Sequence, residues 1–473
     1  MMARFILLFL ACAVCAPAVA GEAKFDPKPW IADLAEMHTI FATKYANLEW
    51  AVFDREADLP KLFADAEKRI ENAQDETDAR AAFERLVRRL GDGHVEIHWH
   101  ASQSEGPSLP CSSYDPGMVG APMAARMKGY EPIEAAHSDL FPIGIVTAGG
   151  SRVGVLRIGL FMPEGYPGLC KAAIAALGIP ADRPCDDACS ARIDDYDNRA
   201  FSDAFMAQLE TLKAAHVDVL LVDITGNGGG SEWAEAAVRM LSPLRLKSER
   251  VLFVRGEHWV KHFAQLESDL EKAAASSPSD RATLLEWAKE AAAKKEVAAT
   301  PCDSAPLWEG RHPDCAWLGE GFSMAGILAS GDPDTLREKS WAPLVFSPME
   351  FPWREGIWRG PLIVAVDSGT GSASEEFASV LQDNHAGLIV GEPTVGVGCG
   401  HTDGGTPTTL SNSRAVVVVP DCARVRADGS NENRGVRPDI LIGWRHGDGP
   451  GRRAADFAQA LPGIVEAARR AEK

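Results

Sequence analysis

Beyond its first twenty residues the sequence has no apolar run approaching the roughly 20 residues of a membrane-spanning helix. It is also poor in positive charge: 48 Lys and Arg stand against 67 Asp and Glu, a formal net charge of −19. That balance argues against the basic surface that a nucleic acid or an anionic membrane requires. No lysine occurs from Ser372 to Arg452. The glycines after Asp223 lack the Lys-Ser/Thr ending of a phosphate loop and the G-x-G-x-x-G spacing of a dinucleotide turn. Metal ligands are sparse too. Cys185-x-x-x-Cys189 has no two further ligands nearby, and His98 and His100, on one strand face, lack a third. No internal repeat or low-complexity tract stands out.

What is present begins with a targeting pattern. Arg4 is a short positive region, Phe5 to Val14 an apolar one, and Ala18-Val19-Ala20 a small-residue cleavage signal, so residues 1–20 read as a signal peptide. The remaining eight cysteines are Cys111, Cys170, Cys185, Cys189, Cys302, Cys315, Cys399 and Cys422. An even number in an exported chain predicts disulfides, with Cys302–Cys315 and Cys399–Cys422 as reasonable local pairs. The expected location is periplasmic or secreted.

The chain is long and apolar enough for a large core in two or three substructures. Residues 21–100 read as a helical domain. Trp30, Leu34, Met37 and Phe41 share one face, a second helix spans about 59–73, and a third runs from Asp78 as N-cap to Leu90. Gly91-Asp92-Gly93-His94 then turns into an alternating strand, Val95 to His100. Residues 101–150 read as an irregular connection rich in Gly, Pro and Ser. An α/β core is expected over 151–243 and 360–445, interrupted at 244–359 by a largely helical cap or lid. A helix closes the chain within 446–473.

Two turns of the core carry candidate chemistry. Leu362 to Val366 reads as a buried strand, and Glu375 to Gln382 as a helix. Gly371-Ser372-Ala373-Ser374 lies between them, where first-turn N–H groups point outward and favour negative charge. Ser372 or Ser374 there is a nucleophile or an N-cap. The strand Val217 to Asp223 likewise ends in Gly226-Asn227-Gly228-Gly229-Gly230, an oxyanion-binding turn or a plain tight turn.

Taken in order, LGDGHV, VGVLRIGLF, VDVLLVDITGNGGG, GTGSASEEFASVLQDNHAGLIVGEPTVGVG and NRGVRPDI resemble the carboxyl-terminal processing (tail-specific) peptidases and the related tricorn-type proteases. The resemblance implies a crotonase-like α/β core and makes Ser372 the nucleophile. It places the oxyanion hole at the N–H of Ala373 and one from Gly228, Gly229 or Gly230. The lysine general base of the processing-peptidase branch falls on Val397, which cannot accept a proton. The tricorn-like branch uses a histidine and a glutamate, matched here by His94 and Glu432, with His401 as a rival base. A further departure is the missing PDZ module, for which 101–150 is too short. The expectation is an exported serine peptidase acting on polypeptides through an acyl-enzyme, without metal or organic cofactor. The alternatives are an esterase and a non-catalytic protein binding a peptide or apolar ligand. The interphotoreceptor retinoid-binding protein shows, by resemblance, that this core can bind apolar ligands.

Overall fold

The computed structural model describes residues 25–99, 108–119, 123–401, 407–445 and 447–471. Residues 1–24, expected to hold a signal peptide, His100 and part of the expected hairpin after Gly398 lie outside them. The centre is a seven-stranded sheet in the order 440–441, 388–391, 362–366, 219–223, 151–157, 143–148 and 131–133. Its first five strands are parallel and the last two antiparallel. Strands Leu362–Val366 and Val219–Asp223 are buried throughout because both sheet faces are covered. Leu220, Val222, Val364 and Val366 face the helices Asp187–Ala214, Trp233–Met240 and Ala373–Asp383. Val219, Leu221, Ile363 and Ala365 face Phe457, Leu461, Ile464 and Val465 of the closing helix Pro450–Ala471. The chain is therefore a mixed α/β protein.

The N-terminal helices Lys28–Lys44, Leu48–Phe53, Leu59–Glu71 and Glu76–Leu90 pack around Phe41, Phe83 and Leu86. The third expected helix starts earlier than its sequence pattern implied, since Asp75, not Asp78, caps it by accepting from Asp78 N. The same core includes Phe253, Trp259, Phe263 and Trp317 from segment 244–359. That segment holds the antiparallel pair Glu257–Ser276 and Arg281–Ala298 and the strand Leu318–Ser323. Within 101–150 the chain is more regular than its composition implied. Ile143–Ala148 pairs along the strand Ser151–Arg157, where glycine turns at 149 and 150 allow the tight reversal.

Four disulfides form: Cys111–Cys170, Cys185–Cys189, Cys302–Cys315 and Cys399–Cys422. Cys185 and Cys189 are thus bonded to each other rather than arranged for zinc. Among the described residues no cluster of His, Cys, Asp or Glu is placed to hold a metal ion, and no helix is long and apolar enough to cross a membrane.

Candidate active site

The parallel strands end side by side, with Asp223 opposite Ala365 and Val366 opposite Gly391. The loops that leave these ends hold both candidate turns, the usual place for a site in an α/β sheet. Ser372 sits immediately before the helix Ala373–Asp383 with φ +56° and ψ −122°, a conformation that costs a non-glycine residue energy. Its neighbours hold it there. The Glu375 carboxylate accepts from Ser372 N at 3.1 Å, and the Ser372 carbonyl accepts from Arg424 Nη2 at 2.8 Å. Ser374, the lesser candidate, is fully buried with no hydrogen-bond partner for its hydroxyl.

The glycine turn is pressed against this serine. A Cβ at Gly229 would lie 2.7 Å from Ser372 Cβ and 3.0 Å from Ala373 N, and its φ is +120°. Only glycine fits there. Gly229 N donates to Asn227 Oδ1 at 2.9 Å, and Gly229 O accepts from Phe161 N at 2.8 Å. Its amide is therefore occupied. Of the three expected glycines, Gly230 lines the same pocket as Ser372 and Ala373, whereas Gly228 and Gly229 do not.

His94 lies on that pocket as well. Its backbone N donates to Asp92 Oδ1 at 3.0 Å, and its Nδ1 faces the Val397 carbonyl at 2.9 Å. A carbonyl only accepts, so Nδ1 carries the proton and Nε2 is left basic. Nε2 borders Gly400, where a Cβ would come within 3.5 Å. Burial lowers the His94 pKa, and Arg424 adds to that effect, while Asp92 and the Val397 carbonyl oppose it. No hydrogen bond joins His94 to Ser372 among the described contacts; such bonds often tighten only with substrate bound.

Val397 thus takes part through its backbone. Its N–H donates to Glu375 Oε2 at 2.9 Å, and its side chain fills the space over Gly93, where a Cβ would meet Val397 Cγ1 at 2.2 Å. Glu375 also accepts from Thr394 Oγ1 and Gly396 N, tying loop 394–398 to the serine turn. Asp92, Arg424 and Glu375 were not among the expected site residues. Asp92 in GDGH and Glu375 in SASE were visible as buried-capable acids beside turns, but their partners lie far along the chain.

No hydrogen bond joins Glu432 to His94 among the described contacts. Its carboxylate accepts from Arg424 Nε and from Ser379 Oγ at 3.1 Å. Arg424 spans the gap, also donating to Glu376 Oε2 at 2.9 Å and Gly398 O at 2.9 Å. His94 Nδ1 meets the Val397 carbonyl, and the Glu432 carboxylate is held by the Arg424 guanidinium. Burial raises the Glu432 carboxyl to about 7 despite Arg424. Burial also drives Glu376 and Glu249 well above the ordinary carboxylate range. His401 lines the pocket but is exposed, and no contact joins it to Ser372 or His94 among the described residues.

The pocket measures about 460 Å³. It is lined by Ser372, Ala373, Gly230, His94 and Arg424 together with an apolar set, Trp259, Phe263, Leu266, Phe322, Met324 and Ile327. Residues 189–442, which carry both turns, match the model of peptidase family S41. The chain belongs to peptidase family S41. Two solved structures resemble this S41 chain over nearly its whole length. Mature CPAF complexed with lactacystin is 14% identical, with a TM-score of 0.59 over 94% of this chain and 99% of that one. Mature CPAF is 13% identical, with a TM-score of 0.57 over 94% and 98%. At such identity the likeness is one of fold.

Proposed function

We propose that this S41 chain is an exported serine peptidase, on a crotonase-like core without a PDZ module, that cleaves polypeptides through an acyl-enzyme at Ser372. The observation that carries the reading is a partly buried serine with positive φ sharing a pocket with a histidine whose Nδ1 meets a backbone carbonyl, which leaves Nε2 free to act as base. Ser372 Oγ attacks the scissile carbonyl while His94 Nε2 takes its proton. The tetrahedral oxyanion is met by the N–H groups of Ala373 and Gly230, neither of which has a protein acceptor among the described contacts. His94 returns its proton to the leaving amine, and water then hydrolyses the ester by the reverse path. The Val397 carbonyl holds the imidazole in one tautomer and stabilises its charged form. Glu432 serves through Arg424, which fixes the carbonyl of Ser372. A Ser–His pair with this support takes the place of a Ser–Lys dyad.

The test is hydrolysis of a mixed peptide library by wild type, Ser372→Ala and His94→Ala, with mass-spectrometric detection. Loss in both variants supports the assignment; an unchanged Ser372→Ala variant removes it. The apolar wall favours a second reading, a protein that binds apolar ligands without turnover. An active-site serine reagent separates the two. Labelling of Ser372 in the folded protein but not the unfolded one belongs to the enzyme.

A further inference from the structure

Segment 244–359 supplies more than half of the residues that line the pocket with Ser372, and this wall is mostly apolar. Trp259 and Phe263 are buried in its base, where Phe253, Trp259 and Phe263 pack with ring centroids 5.0–5.4 Å apart. Trp259 Nε1 already donates to the Asp421 carbonyl at 3.0 Å, so the indole offers the pocket a surface and no free donor. Leu266, Phe322, Met324, Ile327 and Leu344 also line the pocket and are only partly buried. They share the pocket with Ser372.

Charge on the pocket belongs to other elements. Arg424 and Glu376 are buried behind the serine and paired with each other, and Glu232 stands exposed beside the glycine turn. Within segment 244–359 the only lining residue that can carry charge is His262, exposed on the helix Glu257–Ser276. A charged side chain entering between Phe263, Met324 and Ile327 would lose water and find no buried partner on that wall, whose one ionisable residue, His262, is exposed. An apolar one would bury its surface and cover theirs.

We infer that this wall is the side-chain-binding subsite of the enzyme, and that it directs cleavage to bonds flanked by a large apolar residue. The inference rests on the peptidase reading for its link to turnover, but the binding preference itself does not need turnover. Leucine, isoleucine, methionine and phenylalanine side chains are the class it takes. Aspartate, glutamate, lysine and arginine are the class it rejects. Met324 and Ile327, on the turn after the strand Leu318–Ser323, are the residues that set the choice.

Two measurements on the full chain test this and keep it separable from the catalytic claim. The first reads cleavage-site preference in the peptide library for wild type, Met324→Leu and Ile327→Glu. The expected result is an enrichment of about 100-fold for apolar over charged residues at one position beside the cut bond. Met324→Leu retains that enrichment, whereas Ile327→Glu cuts it about tenfold or more and admits Lys and Arg at the same position. The second is calorimetric binding of blocked tetrapeptides, differing only in Leu, Phe, Glu or Lys at one position, to the Ser372→Ala protein. Tighter binding of the Leu and Phe peptides supports the subsite even if wild type cleaves nothing, which would sink the peptidase reading alone. Equal binding of all four peptides, or cleavage with no apolar enrichment, overturns the subsite. Unchanged preference in a folded Ile327→Glu protein overturns the role given to that residue.

Discussion

The two walls of the pocket are made in different ways. On the core wall, nearly every atom is placed by a backbone bond or a steric limit. Glu375 holds Ser372 N, Arg424 holds Ser372 O, Val397 O holds His94, and Gly229 leaves room for no side chain. On the opposite wall, aromatic and aliphatic groups pack without directional bonds into the pocket. Chemistry needs positions good to a fraction of an ångström, and hydrogen bonds supply that. Selection among side chains needs only shape and dryness. The contrast predicts that damage to the core wall lowers turnover on every substrate, and damage to the other wall re-sorts substrates.

The largest effect should come from the reacting groups. His94→Ala is expected to lower kcat by about 10⁴-fold or more with KM little changed, measured on any cleaved peptide. Next is Gly229→Ala, which forces a side chain into a left-handed position and against Ser372. We expect at least a 100-fold loss of kcat, with a circular-dichroism melt reporting how much is lost stability, on the order of 2 kcal/mol.

A subtler break is Cys399→Ser with Cys422→Ser. That disulfide joins loop 394–400, which bears Val397 O, to the strand Cys422–Val425, which bears Arg424. Its removal should cost about tenfold in kcat, whereas Cys302→Ser with Cys315→Ser, removing a disulfide away from the pocket, should leave kcat intact. Equal effects of the two pairs would contradict the positioning role. On the opposite wall Leu266→Ala should raise KM a few-fold for apolar peptides and leave kcat nearly unchanged.

The smallest effects are in pH. The lowered His94 pKa places the acid limb of kcat/KM below 6.5, the ordinary histidine value. A limb above that value would argue against His94 as base. Glu432, Glu376 and Glu249 have raised carboxyl pKa values, so the folded state binds their protons more tightly than the unfolded chain. Their contribution is present at acid pH and is lost as pH rises through the folded values, about 7 for Glu432. Stability should therefore decline as pH rises from the ordinary glutamate value, about 4.5, through about 7. Glu249→Gln should flatten that decline in chemical denaturation.

The legible parts of the sequence were those with local causes. The strands around Val219 and Leu362 were readable as continuous apolar runs, and the serine and glycine turns as small-residue breaks after them. The pairs Cys302–Cys315 and Cys399–Cys422 were readable from their spacing. The strand Ile143–Ala148 was missed because glycines and prolines surround it and its order comes from pairing with 151–157. The pairing of Glu432 with Arg424 was not foreseen. Arg424 reaches it from a neighbouring strand, and only the fold shows that the same guanidinium also grips Ser372. The part taken by Val397 was hidden for another reason: it acts through a carbonyl that every residue possesses.

The most direct test of the account is a pair of pH profiles of kcat/KM, wild type against Ser372→Ala, on one apolar peptide taken from the library. The account predicts a wild-type rate that rises through a single ionisation below 6.5 and a Ser372→Ala rate near background at every pH. Hydrolysis by the Ser372→Ala protein at a rate close to wild type would contradict it.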